Sequence, residues 1–360
     1  MNNPYEIEIP ALDEKVMKEA WARQDALAKP PRSLGVLEEI SVRFAGMTGK
    51  LYNDAKRRRI LIFAADNGVV EEGVTSAPQS VTLAQTINFT RGLTGVAVLA
   101  KHYNTELKVV DVGVNARFEQ PGVIDRKIAM GTRNLAKEPA MTREQALRAL
   151  NTGFEMAAQA AADGVEILGV GEMGIGNTTT SSAILSCLLN LPAEETTGRG
   201  GGVNDAGFAR KKEVIDGAIA LHRPDPADVV DVLSKVGGFD VAAMCGAFLG
   251  AAANRLPVVI DGYISAVAAL CASRINRDSL NYMFASHISC ERGYALAMEE
   301  MGLKSMFQLE MRLGEGSGCP IAFEVIDGAL TVLKDMATFE EARIDDGYLG
   351  EIRGDAHLQR

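Results

Sequence analysis

The chain has 360 residues, of which 47% are hydrophobic, and a net charge of −10. That length suits one large domain or a domain with an appendage, and that apolar fraction can bury a substantial core. The acidic balance argues against a nucleic-acid binder, because neutralising phosphates requires basic clusters.

The first residues, "MNNPYEIEIP", lack the basic region and apolar run of a secretory leader. No stretch is long and uncharged enough to span a bilayer, so a cytoplasmic location is expected. Residues 1 to about 50 read as helices with a linker, "AKPPRSLG" (28–35). "RRILIFAADNG" (58–68), "ELKVVDVGV" (106–114), "GVEILGVGE" (164–172) and "RLPVVIDGY" (255–263) read as buried parallel strands, each a short apolar run followed by glycine. The basic run at 56–60, "KRRRI", reads as a solvated strand edge. Residues 141–164 form the clearest helix: Thr142 and Gln145 have capping-box spacing. Leu147, Leu150, Phe154, Ala157, Ala158 and Ala161 share one face, and Gly164 can end it. "LSKVGGFDVAAMCGAFLGAAA" (233–253) pairs a glycine turn with a helix of small residues, suited to close packing in the core. Residues 325–344 again look helical.

Repeated β-α alternation predicts a doubly wound, Rossmann-like parallel sheet of the α/β class. Right-handed crossovers place the strand C-termini along one edge. The polar groups Asp66-Asn67-Gly68, Asp111, Gly171-Glu172 and Asp261-Gly262 should converge there. The expected division is a small helical subdomain from residues 1–50 and 325–360 and a large domain over 51–324.

"GVGEMGIGNTTTSSAI" (169–184) carries a glycine-rich turn into a helix opened by Asn177, Thr178, Thr179 and Thr180. Free N–H groups at a helix start attract anions, and hydroxyls add donors. It is neither a Walker loop nor a clean G-x-G-x-x-G; simple N-capping is the plainer alternative. "TGRGGGVND" (197–205) is a second glycine-rich loop, followed by Arg210 and Lys211 on a helix. His287, in "SHISCERG" (286–293), reads as a cap or core histidine. Five scattered cysteines fit free thiols in a reducing compartment, and four scattered histidines offer no metal cluster. In "MRLGEGSGCP" (311–320) one acid, Glu315, stands among Gly314, Gly316 and Gly318. Such a residue is a catalytic base or a solvated loop residue.

"KPPRSLG", "DNGVVEEGVTSAPQSVT", "VGEMGIGNTTT", "LSKVGGFD", "VVIDGYISA" and "RLGEGSG", in this order from about residue 29 to about 335, resemble the nicotinate-nucleotide–dimethylbenzimidazole phosphoribosyltransferase family of cobamide biosynthesis. The resemblance implies transfer of the phosphoribosyl group of nicotinate mononucleotide to a lower-ligand base, giving nicotinate and an α-ribotide. It implies a cytoplasmic homodimer with no metal or cofactor. It makes Glu315 the catalytic base. Glu172 becomes a second acid near the bases, and Gln85 and Ala77 part of the lower-ligand pocket. Gly174, Gly176, Asn177 and Thr178 become a ribose-phosphate cradle and Lys211 a phosphate-neutralising lysine. Gly262 and Ser289 join the substrate-binding set. The family often has Asp-His-Gly where this chain has Asp66-Asn67-Gly68, and a hydroxyl or aromatic residue at Ala77. Both departures bear on the identity of the lower ligand. A phenol-activating paralogue, acting as a heterodimer, is the alternative within the family. A Rossmann dehydrogenase would need an early G-x-G-x-x-G, and a nucleotide carrier would need no base at Glu315.

Overall fold

A computed structural model describes residues 3–349; residues 1–2 and 350–360, placed above in the helical subdomain, lie outside the described residues. The chain opens with α1 (Glu14–Ala26) and α2 (Val36–Thr48). Then come β1 (Arg58–Ala65), α3 (Ser80–Thr90), α4 (Gly95–His102), β2 (Glu106–Gly113) and β3 (Val123–Asp125). The middle comprises α5 (Arg143–Ala162), β4 (Ile167–Met173), α6 (Asn177–Leu189), α7 (Ala193–Thr196), α8 (Asp205–His222), α9 (Val229–Val236) and α10 (Phe239–Ala253). The last third holds β5 (Val258–Ile260), α11 (Tyr263–Ile275), β6 (Met283–His287), α12 (Arg292–Met301), β7 (Ser305–Phe307), α13 (Cys319–Asp335) and α14 (Phe339–Ala342).

The strands form one parallel sheet in the order β3-β2-β1-β4-β5-β6-β7. The chain steps outward from β1 to β3, then returns to β4 on the other side of β1, so a crevice opens between the C-termini of β1 and β4. The four predicted strands are all present, and the doubly wound α/β reading holds. The sequence reading has no counterpart of β3, β6 or β7. Two of these are three-residue edge segments, and β6 ends in Ser286 and His287, too little for a periodic signal.

Side chains alternate across the sheet. Leu61, Phe63, Val110, Val112, Leu168 and Val170 face a core built with α5, α6, α9, α10 and α11. Ile60, Ile62, Val109, Val259 and Phe284 face α2 and α13, which contribute Ile40, Phe44, Phe323 and Ile326. Outside that layer, Ala20 of α1 meets Val42, Ala45 and Leu333. The Arg23 guanidinium donates to the carbonyls of Leu333 and Met336, and Ala28 N donates to Ala337 O.

Two local expectations change. The basic run is solvated only in its first half: Lys56 and Arg57 are exposed, but β1 is an interior strand, paired with β2 and β4. Arg58 and Arg59 are each 7% exposed and enclosed by acids. Arg58 pairs with Glu324 and Asp327, and Arg59 with Glu106 and Asp163 at 2.6 and 2.7 Å. On α5 the capping box of Thr142 and Gln145 forms, and Asp163 ends the helix just before the left-handed Gly164. Its buried face, however, is Ala146, Ala149, Leu150, Gly153, Met156, Ala157 and Ala160. Leu147, Phe154, Ala158 and Ala161 are only partly buried. The small residues win because α5 lies almost backbone to backbone on α10. A Cβ on Gly153 would fall 1.7 Å from Ala243 O, and one on Gly246 1.8 Å from Leu150 O. Residues 239–252 of α10 are all buried, the core placement expected of that helix.

Candidate active site

A cleft of about 170 Å³ opens at the C-terminal edge of the sheet, where chain segments after β1, β4, β5, β6 and β7 meet. Its wall includes Ala77, Glu172, Gly174, Gly176, Asn177, Thr178, Gly262 and Ser289, eight of the eleven residues assigned from the sequence. The other three stand one layer behind. Lys211 Nζ donates to Thr178 Oγ1 at 2.8 Å, Glu315 N donates to Glu172 Oε1 at 3.2 Å, and Gln85 Nε2 donates to Glu315 Oε1 at 3.4 Å.

The Glu315 turn explains its glycines. Gly314, Glu315 and Gly316 all have left-handed backbones, with φ of 83°, 62° and 80°. Glycine adopts that region freely, whereas a residue with a side chain is strained there by about 1–3 kcal/mol. The turn is held by buried acids: Asp261 Oδ2 accepts from Gly316 N at 3.0 Å and Asp261 Oδ1 from Gly318 N at 2.7 Å, beside the Glu172 bond. Gly171 lets β4 run directly beneath, because a Cβ there would meet Gly316 N at 2.6 Å. The Glu315 side chain is 4% exposed and reaches the N-terminus of α4, where Val96 N donates to Oε2 at 3.3 Å. Burial raises its pKa, while the Val96 and Gly95 N–H groups and Gln85 pull the other way.

Three further carboxyls are buried here: Glu172 and Asp261 line the cleft, and Asp240 lies behind it. Asn177 Nδ2 donates to Glu172 Oε2 at 2.5 Å and to Asp240 Oδ2 at 3.0 Å, bridging two acids on β4 and α10. Burial pushes Glu172 up to about 8, Asp261 to about 7 and Asp240 to about 6. Near neutral pH, Glu172 is thus held as the neutral acid. His287, at the end of β6, lines the cleft with Nδ1 3.0 Å from Ser286 Oγ. Burial lowers its pKa to about 4, so it is a neutral imidazole.

Behind Thr178, Lys211 on α8 is 1% exposed, and burial pulls its ammonium down to about 8. It approaches the glycine loop 198–202: a Cβ on Gly200 would meet Lys211 Nζ at 3.3 Å and Thr178 Oγ1 at 2.6 Å. The cleft therefore offers carboxyls suited to proton transfer and, behind Thr178, a desolvated cation beside the 198–202 backbone. No group of three or more His, Cys, Asp and Glu among the described residues is arranged to hold a metal ion. No helix of the described residues is long and apolar enough to cross a membrane.

The phosphoribosyltransferase family model matches residues 9–344. A nicotinate-nucleotide–dimethylbenzimidazole phosphoribosyltransferase of Clostridium perfringens is 52% identical over 345 residues, 96% of each chain. The chain belongs to that family. A relative of the same name from Clostridium tetani is 46% identical over 95% of this chain and 94% of its own. The crystal structure of the enzyme of that name from Thermus thermophilus superposes with a TM-score of 0.88. It is 38% identical and covers 93% of this chain and 100% of its own.

Sequence reasoning brings Asp261 to this edge but does not see its task, and it misses Glu291. Asp261 reads as a strand end, with no hint that it anchors the Glu315 turn; a hydrogen bond across more than fifty residues leaves no local signal. Glu291 lines the cleft as the N-cap of α12. It follows β6, two residues after Ser289, but a single acid there carries no motif of its own.

Proposed function

We propose that this protein transfers the 5-phosphoribosyl group of nicotinate mononucleotide to 5,6-dimethylbenzimidazole or a related base, releasing nicotinate and an α-ribotide for cobamide assembly. The observation that carries this reading is the family membership at 52% identity over 96% of the chain. The cleft supports it, with Glu172 in its wall, Glu315 bonded to Glu172, and Lys211 behind Thr178.

In this reading the phosphate lies by Thr178, Gly200, Gly262, Ser289 and Lys211, with Gly174, Gly176 and Asn177 shaping the ribose end. Gln85 and Ala77 bound the space for the incoming base. A ring nitrogen of the base attacks ribose C1 with its lone pair. The C1–N bond to nicotinate breaks, and its electrons return to the pyridine nitrogen. The attack leaves the benzimidazole cationic, which acidifies the N–H on its other nitrogen. Glu315 takes that proton as general base, and its raised pKa brings it closer to the strength the task needs. Glu172 holds the Glu315 backbone, and as a buried acid it adds no second negative charge.

The reading includes residues 1–50 with 325–360 as a small helical unit beside a 51–324 body, supported by the Arg23 and Ala28 contacts to the 333–337 segment. It also includes a homodimer working in the cytoplasm. The test is a product assay with nicotinate mononucleotide and equal concentrations of dimethylbenzimidazole and p-cresol. Dimethylbenzimidazole α-ribotide should dominate, with nicotinate released in equal amount. Predominant p-cresol product would move the chain to a phenol-activating branch, and absence of both would reject the activity.

A further inference from the structure

The nucleotide proposed above carries two anionic groups, the phosphate on its ribose and the carboxylate on its pyridine ring. Lys211, behind Thr178, answers the first. Among the described residues, Arg312 is the only lysine or arginine in the cleft wall. It is exposed, and its guanidinium makes no hydrogen bond or ion pair with any described residue. Glu172, Asp261 and Glu291 share that wall and leave it unpaired. The backbone on either side of Arg312 is pinned. Cys290 N donates to Met311 O at 3.4 Å, and Glu315 N donates to Glu172 Oε1 at 3.2 Å. Arg312 is thus rooted three residues before the proposed base, in a segment separate from the α8 lysine.

We propose that Arg312 is a specificity residue, which pairs with the carboxylate on the pyridine ring and so favours nicotinate mononucleotide over nicotinamide mononucleotide. This rests on the phosphoribosyl-transfer reading of the cleft. The two nucleotides share the phosphate, the ribose and the positive charge on the ring nitrogen. Whatever Arg312 does to those groups is the same for both and cancels in the ratio of their affinities. They differ in one substituent, a carboxylate against a neutral amide. A guanidinium presents a planar fork of N–H donors that matches two carboxylate oxygens, and the opposite charges strengthen both bonds. The amide has one oxygen and no charge, and its NH2 would set donors against donors. The gain is therefore confined to the acid. An arginine held by a protein carboxylate would first have to break that pair, and Arg312 has none to break.

The test measures dissociation constants for both mononucleotides by calorimetry, in the full chain, for the natural protein, Arg312→Gln and Arg312→Lys. The natural protein should favour the acid. Arg312→Gln should weaken nicotinate mononucleotide about tenfold and move nicotinamide mononucleotide by less than about twofold, so the preference falls. Arg312→Lys keeps the charge without the fork, and its preference should lie between the two. Arg312→Met stands in if the glutamine variant fails to fold. An unchanged ratio would overturn the proposal, and equal weakening of both ligands would place Arg312 at the phosphate instead. The product assay on the natural protein keeps the two readings apart. Ribotide formation with an unmoved ratio removes only the role of Arg312. A ratio that falls without ribotide formation keeps the carboxylate site and rejects the transfer reading.

Discussion

Glu315 sits in a backbone conformation that opposes it, and two other acids commit their hydrogen bonds to keeping it there. Strain of this kind persists only where the surroundings over-determine it. Glu315→Gln keeps the shape and removes the base, so turnover should fall about 10²- to 10⁴-fold while nicotinate mononucleotide still binds; near-normal steady-state turnover would reject Glu315 as the base. Lys211→Ala should weaken nicotinate mononucleotide by roughly 1.5–3 kcal/mol and leave free nicotinate almost unaffected, because only the former carries a phosphate. Calorimetry with both ligands decides this. Lys211 also sets an alkaline limb. The buried ammonium of the free protein loses its proton as pH rises through about 8, so kcat/KM for the nucleotide should decline above that pH. Lys211→Ala should lack this limb. At this scale the sequence is informative where function leaves a local mark: an acid between glycines, or a lysine after a glycine loop. It is silent on Asp261 as an anchor and on Asn177 as a bridge between two carboxyls, since both roles exist only across strands.

The contact between α5 and α10 shows how an element can be placed correctly and turned the wrong way. Hydrophobicity picks the large residues Leu147 and Phe154 as the inward face. The packing picks Gly153, whose missing side chain lets Ala243 O approach. Volume complementarity, not transfer energy alone, selects the stripe, and a single helix sequence does not contain its partner's surface. Gly153→Ala and Gly246→Ala should each destabilise the protein by about 1–3 kcal/mol or more, because the added methyl meets backbone that cannot give way. Gly217→Ala on α8 is the control. It is exposed and helical, with open space where the methyl would go, and should stabilise by about 0.4–1 kcal/mol. Denaturant midpoints for the three variants test both statements. The long strands β1, β2 and β4 are legible because their apolar runs are continuous. The three-residue β3 and β7 take their pairing from neighbours, which no local pattern records.

Across the whole molecule, the buried acids make stability depend on pH with an unusual sign. Glu172 and Asp261 have pKa values raised to about 8 and about 7, against ordinary values of 4.5 and 3.8. Between the ordinary and raised values the folded chain holds protons that the unfolded chain has released, so stability falls as pH rises. His287, lowered to about 4 from 6.5, acts in the opposite direction only below about 6.5, and Lys211 only above about 8. From pH 6.5 to 8 the carboxyls therefore dominate, and unfolding free energy should drop by about 2 kcal/mol. Urea melts at the two pH values check this, and Glu172→Gln should remove the larger share of the slope. The doubly wound architecture is readable from the alternation of strands and helices, whereas the clustering of buried acids at the cleft requires the assembled sheet. The layering also bears on how the chain is made. The sheet face carrying Ile60, Ile62, Val109, Val259 and Phe284 is roofed by α13, which comes from residues 319–335. On the ribosome that greasy surface waits, half covered by α2, until α13 emerges after all seven strands. Translation stalled before Cys319 would release a chain with its strands paired and one side bare, a natural client for a chaperone and a ready seed for aggregation.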